Sequence, residues 1–219
     1  MTDGRGHGEG PRTRTAAEVF DAVGARYEEA FADVPGQLAA LDWIIAELPR
    51  GARVLDVGSG TGRPAAHLLD RAGLEVTGID VSPEMVRLAR ARVPAAHFEQ
   101  VDVREHRAPE GGYDAVCSFF PLLVMDQPEI RDVLTRMAGW LVPGGLLALA
   151  TVPGDIRGLE IDWMGHPVTV SSLSAEQHVT ALEAAGLEVV GLDTAVFRPH
   201  GPDAVPEEHL YLRARRPGR

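Results

Sequence analysis

Three acids and a run of glycines carry the chemistry this chain can do. At 54–63 the sequence reads VLDVGSGTGR, an apolar strand that runs into Gly58, Gly60 and Gly62, with Asp56 inside the strand. Asp80 ends a second apolar run, VTGID, and Asp102 ends a third, FEQVD. A glycine turn between a strand and a helix lets a ligand approach the backbone. It also offers N–H groups and the positive end of the helix to an anion.

That physics suits NAD, FAD, ATP or S-adenosylmethionine, so the spacing must discriminate. The dinucleotide fingerprint is G-x-G-x-x-G. Gly58 and Gly60 fit it, but the third glycine position holds Arg63, and the run is instead G-x-G-x-G through Gly62. A strand carboxylate such as Asp56 is costly to bury unless partnered, and it would repel a pyrophosphate. Beside an ammonium or sulfonium it makes sense.

Absences narrow the field further. The chain has no lysine, so its 21 basic residues are all arginine, and P-loop, Schiff-base and kinase lysines are excluded. It has no asparagine, hence no N-glycosylation acceptor. The net charge of −11 argues against a nucleic-acid backbone as partner. Arg213, Arg215, Arg216 and Arg219 read as a solvated tail. The eight histidines show no metal-ligand spacing, so no metal is expected. The one cysteine, Cys117, cannot form an internal disulfide and reads as a small core residue. With no apolar run long enough to span a bilayer, a cytoplasmic protein with no membrane partner is expected, as a monomer or homodimer.

The elements that must position these groups follow from periodicity. Residues 1–15 read as a disordered tail, and 16–219 as one domain. Helical faces recur over 16–34 (Val19, Val23, Tyr27, Phe31) and 36–48 (Leu38, Leu41, Ile44, Ile45), separated at Pro35-Gly36. Strands are expected at 53–57, 74–80, 97–101, 113–119 and 146–152, with helices at 63–72, 83–93 and 129–141 between them. Such alternation implies an α/β, Rossmann-like, doubly wound sheet. Beyond it, 158–171 reads as a hairpin turning at Gly165-His166-Pro167. SAEQ at 174–177 opens a helix to about 185, and strands follow at 187–197 and 208–215.

VLDVGSGTG resembles the first motif of the class I S-adenosylmethionine-dependent methyltransferases. TGIDVS at 77–82, FEQVDV at 98–103, YDAVCSFF at 113–120 and LVPGGLL at 141–147 match further motifs of that family, in its order. The resemblance is specific over about residues 16–152 and weak beyond. It implies a seven-stranded, mostly parallel sheet with the last strand antiparallel, N-terminal cap helices over 16–48, and a substrate-cover hairpin. It also implies S-adenosylmethionine as cofactor and S-adenosylhomocysteine as product. The cofactor residues it implies are Tyr27, Asp56, Gly58, Ser59, Gly60, Gly62, Asp80, Val81, Met85, Asp102, Val103 and Phe119. Asp80 would take the ribose hydroxyls, Asp102 the adenine amino group, and the Tyr27 ring the sulfonium.

The acceptor is expected to be a small molecule. Phe120, Leu123, Met125 and Trp163 are candidates to line its pocket, and Tyr27, Glu160, Asp162 and His166 to act on it. Without an evident base, an amine is favoured over a hydroxyl. Other readings are a non-methyl reaction such as cyclisation, and a non-catalytic cofactor-binding protein.

Overall fold

Strand β1 (Arg53–Val57) is buried from Val54 to Val57, as expected of a central parallel strand covered on both faces. A computed structural model describes residues 15–24, 26–31, 34–200 and 205–218. The N-terminal tail reading lies outside these except for Thr15. That residue is ordered into the fold: its side chain and that of Glu18 form a reciprocal cap on α1 (Ala16–Val23).

The helix expected over 16–34 is two. Gly24, with φ of 53°, ends α1, and α2 (Arg26–Ala30) follows. Pro35 does not separate helices but opens α3 (Pro35–Glu47), where its missing N–H costs nothing. The glycine turn leads to α4 (Ala65–Arg71) and β2 (Glu75–Asp80). Ser82 caps α5 (Pro83–Arg92), and β3 (His97–Gln100) and β4 (Tyr113–Phe119) come next. A short 3₁₀ turn, Pro121–Val124, precedes α6 (Gln127–Trp140). Strand β5 (Leu141–Thr151) begins before its glycines, because Gly144 and Gly145 pair with Arg216.

With two last strands, β8 (Glu188–Phe197) and β9 (Glu207–Arg215), the seven-stranded sheet has the order β3-β2-β1-β4-β5-β9-β8. Neighbours from β3 to β5 are parallel. Strand β9 inserts antiparallel between β5 and β8. Helices cover both faces. Leu55 and Val57 pack with α6 and α7 (Ala175–Ala184), whereas Val54 packs with α3, α4 and α5. Along α6, Ile130, Val133, Leu134, Met137 and Ala138 repeat at helical spacing and are buried. Truncating Leu134 to alanine would cost about 2–5 kcal/mol.

Strands β6 (Ile156–Trp163) and β7 (His166–Ser172) form a separate two-stranded ribbon. Its turn is Met164-Gly165, not Gly165-His166-Pro167. Both turn residues have positive φ, 52° and 81°, the geometry that matches strand twist in a two-residue hairpin. His166 and Pro167 belong to β7, opposite Trp163 and Asp162. Of the arginines expected in a solvated tail, Arg219 lies outside the described residues and the other three are bound. Arg213 and Arg215 lie on β9 and pair with Asp193 and Glu47, and Arg216 reaches Glu110.

Candidate cofactor and acceptor cavity

The ends of β1, β2 and β4 meet at one edge of the sheet, where ligands bind in open α/β folds. The turn after β1 is held by its own amides. Gly58 and Ser59 N–H donate to the Ile79 carbonyl at 2.8 and 3.0 Å, Gly60 N–H to Asp80 Oδ2 at 2.9 Å, and Gly62 N–H to the Ser59 carbonyl at 2.9 Å. These amides are spent, so this turn is not the anion cradle that its glycines suggest. Gly58 is required sterically: with φ of 70°, a Cβ there would lie 2.3 Å from Pro121 Cβ. A Cβ on Gly60 would meet nothing within 4 Å, because that residue borders open space.

That space has two lobes. The larger, about 490 Å³, is lined by Gly58, Gly60, Asp80, Val81, Met85 and Phe119 on the sheet side. Val19 and Phe20 of α1, Val124 and Met125, and Val168 of the hairpin close its other side. The smaller lobe, about 360 Å³, holds Asp56, Ser59, Gln37 and Glu28. Tyr27, Gly58, Gly60 and Phe119 line both.

Asp80 ties the edge together. Its Oδ1 accepts from Ser82 N–H at 2.9 Å while Oδ2 accepts from Gly60. Burial pushes its pKa up against the pull of these amides. Each oxygen keeps acceptor capacity toward the cavity, which suits hydroxyl donors.

Asp56 is the unsatisfied group. It is 2% exposed, its Oδ1 accepts only a 3.5 Å contact from Cys117 Sγ, and its Oδ2 has no hydrogen-bond partner among the described residues. Burial pushes its pKa up to about 7. Ser59 Oγ, in the same lobe, is also without a partner there. Buried orphans of this kind are costly unless a ligand meets them. A cationic amino group fits Asp56, and a polar ligand atom fits Ser59. The edge therefore fits S-adenosylmethionine: hydroxyl acceptors at Asp80, an ammonium partner at Asp56, and apolar walls from Val81, Met85 and Phe119. The Cys117 thiol is pushed well above its usual range by burial and by Asp56, which leaves it protonated and no nucleophile.

Asp102 and Val103 line the larger lobe, but the Asp102 carboxylate is taken by Arg104, its ion-pair partner at 2.6 Å. Arg104 also lines the cavity and bridges to Glu129 at 2.7 Å. Arg104 holds the Asp102 pKa below the usual range. Tyr27 stacks on Phe31 with centroids 5.0 Å apart and meets Phe20 edge-on at 6.0 Å. Its phenol is pushed up by burial, with Asp80 and Glu207 adding to the shift. It is a neutral ring and proton donor at the junction of the lobes, not a base.

The remaining sequence candidates scatter. Gly62 lies behind the turn, where a Cβ would come within 3.3 Å of Ala89 and Val93. Phe120 lines the larger lobe in a left-handed conformation (φ 70°), a strain of about 1–3 kcal/mol for an aromatic residue. Leu123 does not line the cavity. Trp163 instead joins the hairpin to the cap through Phe20, Tyr27 and Phe31, with centroids 5.6–6.1 Å away. Glu160 is exposed, Asp162 accepts from Gly165 N–H to close the hairpin turn, and His166 is half-buried in β7. None of these three lines either lobe.

Sequence reasoning missed the cap's polar fastening. Asp21 accepts from Ser82 Oγ at 2.5 Å and from Glu84 N–H, and Glu28 accepts from Thr61 Oγ1 at 3.1 Å and pairs with Arg92. Only acids on an amphipathic helix signalled it. Among the described residues no cluster of His, Cys, Asp and Glu could hold a metal, and no helix is long and apolar enough to cross a membrane.

A family model described as a methyltransferase domain matches residues 54–145. The dTDP-3-amino-3,6-dideoxy-alpha-D-glucopyranose N,N-dimethyltransferase of Streptomyces fradiae is 31% identical over 193 residues, 82% of this chain and 72% of that protein. The biotin biosynthesis bifunctional protein BioCD of Bordetella avium (strain 197N) is 36% identical over 143 residues, 64% of this chain and 30% of that protein. Three other curated relatives are also longer, and the chain spans 47–64% of their length. Among solved structures, the [4+2]-cyclase SpnF matches with a TM-score of 0.71 at 23% identity, over 95% of this chain and 98% of that one.

Proposed function

The chain belongs to the class I S-adenosylmethionine-dependent methyltransferases, and from that premise we propose that it methylates a small-molecule acceptor. A neutral amine nitrogen is favoured over a hydroxyl oxygen, and specialised metabolism is the setting. The observation that supports this most is the contrast within one cavity. Cofactor-type anchors, Asp56 and Asp80, line the sheet edge, and apolar walls, Phe20, Val124, Met125 and Val168, face them.

Bound at that edge, the cofactor supplies an activated methyl carbon. The protein's part is to orient and to exclude water. Asp80 would hold the ribose of the cofactor and Asp56 its ammonium, and Phe119 and Tyr27 form the wall between the lobes. The cap and hairpin keep water from the apolar side, which makes the hairpin a substrate cover. Among the described residues the walls from α1, the 3₁₀ turn and the hairpin place no carboxylate or imidazole in the larger lobe. A neutral amine would need none: its own lone pair would take the methyl that the cofactor supplies, and its proton would pass to water. In the same reading the protein is cytoplasmic, a monomer or homodimer, and takes no nucleic acid.

Aniline and phenol, matched in size, both uncharged at neutral pH and supplied with S-adenosylmethionine, test the nitrogen preference. Formation of S-adenosylhomocysteine with the amine is expected, and methylation of the phenol alone would overturn it. A cyclisation is the second reading, favoured by the fold shared with a cyclase. It would consume no cofactor, so acceptor conversion without S-adenosylhomocysteine would select it.

A further inference from the structure

The cavity continues past its apolar wall. Val124, Met125 and Thr169 line the larger lobe and also a groove of about 670 Å³ between the start of α6 and the hairpin. The lining changes character across that neck, from apolar to Gln127, Arg131, Asp132, Arg157 and Ser171. The groove is a built feature. Buried Gln127 donates from Nε2 to the Ser172 carbonyl at 2.8 Å and to Asp155 at 2.7 Å, which fastens the hairpin to α6 and fixes the width between them. Arg157 is engaged with Asp155 at 3.3 Å. The side chains of Arg131 and Asp132 make no hydrogen bond or ion pair among the described residues. They leave one strong donor and one strong acceptor over the groove.

Neighbouring charges of opposite sign select no ion, because an anionic group drawn to Arg131 meets Asp132 as well. Hydroxyl groups both give and take hydrogen bonds and suit such a pair. We propose that the acceptor is elongated: an apolar end carrying the reacting nitrogen occupies the larger lobe, and a neutral, hydroxyl-bearing body lies in this groove. Thr169 sits at the neck, and Arg131 and Asp132 determine specificity. The identity of the reacting atom rests on the methyl-transfer reading; the groove is read in binding alone.

Calorimetry on the protein loaded with S-adenosylhomocysteine tests this with aniline, para-aminophenyl β-glucoside and para-aminophenyl phosphate. The glucoside is expected to bind about tenfold tighter than the other two, the scale of one retained hydrogen bond to a charged group. In the double variant Arg131→Ala, Asp132→Ala, shown folded by its melting curve, that advantage should fall below about twofold. A glucoside no tighter than aniline, a phosphate that binds tightest, or an advantage that survives the double variant would each overturn the proposal. Turnover is scored separately: glucoside preference without methylation of any amine supports the groove and removes the methyl-transfer reading.

Discussion

The sheet edge and the cover that faces it are built by opposite means. At the edge, position is set by backbone: parallel strands fix the ends of β1 and β2, and the turn amides are bonded to Ile79, Asp80 and Ser59. The cover relies on side chains. Trp163, Phe20, Tyr27 and Phe31 join the hairpin to α1 and α2, and Asp21 and Glu28 fasten the helices to Ser82, Thr61 and Arg92. A backbone-built edge is rigid and holds the invariant part of a reaction. In the proposed reading, a side-chain-built cover would open at lower cost and adapt to the acceptor.

Substitutions should expose that difference, the largest at the edge. Gly58→Val combines a positive φ with a Cβ overlapping Pro121. We expect it to cost about 3 kcal/mol or more, a drop of roughly 6–12 °C in melting temperature for a chain of this size. A variant melting within about 2 °C of the native protein would show that the turn gives more than an edge of this kind should.

Asp80→Ala comes next. It removes the acceptor for Gly60 and Ser82 N–H and, in the proposed reading, a hydroxyl partner of the cofactor. S-adenosylhomocysteine affinity should fall about a hundredfold, since hydrogen bonds to a charged group contribute about 1.5–3 kcal/mol each. Calorimetry showing less than a threefold loss would take the cofactor away from Asp80.

The cover should respond less and differently. Asp21→Asn with Glu28→Gln weakens its fastening to the edge by about 1–2 kcal/mol. Stopped-flow release of S-adenosylhomocysteine should quicken about five- to thirtyfold while melting temperature moves by only a few degrees. An unchanged release rate would mean the cover does not gate the cofactor. Smallest of all is Tyr27→Phe, expected to leave turnover within about threefold because the phenol stays neutral and only its ring and one donor are in use.

The same contrast decides what was legible in the sequence. Edge residues announce themselves because geometry forces their types. Gly58 must lack a Cβ, Ser82 must cap α5, and Asp80 must reach two turns at once. The parallel pairings from β3 to β5 follow from the alternation of strands and helices, and the antiparallel last strand from the family resemblance. The cover left weaker marks. Trp163 alternates correctly in its strand, but whether an indole lines a pocket or joins two elements depends on what packs opposite, and that is tertiary. Glu160 and Asp162 are candidates by their place in the expected cover hairpin, and the pleat sends both to solvent. Asp102 shows the same limit: nothing in the string says that Arg104, two residues on, takes its carboxylate.

In the proposed reading Asp56 holds the cofactor's ammonium. Its pKa is raised, so in the free protein it is mostly protonated below about 7. This raised pKa costs stability as pH climbs from the ordinary carboxyl range to about 7, and a cation bound to the ionised form repays it. The measurement is the affinity for S-adenosylhomocysteine by calorimetry from pH 5.5 to 8.5, on the native protein and on Asp56→Asn. The native affinity should weaken as pH falls through about 7, by up to tenfold per unit, and the variant should bind weakly with no such step. Equal, pH-independent affinity in both proteins would contradict the account.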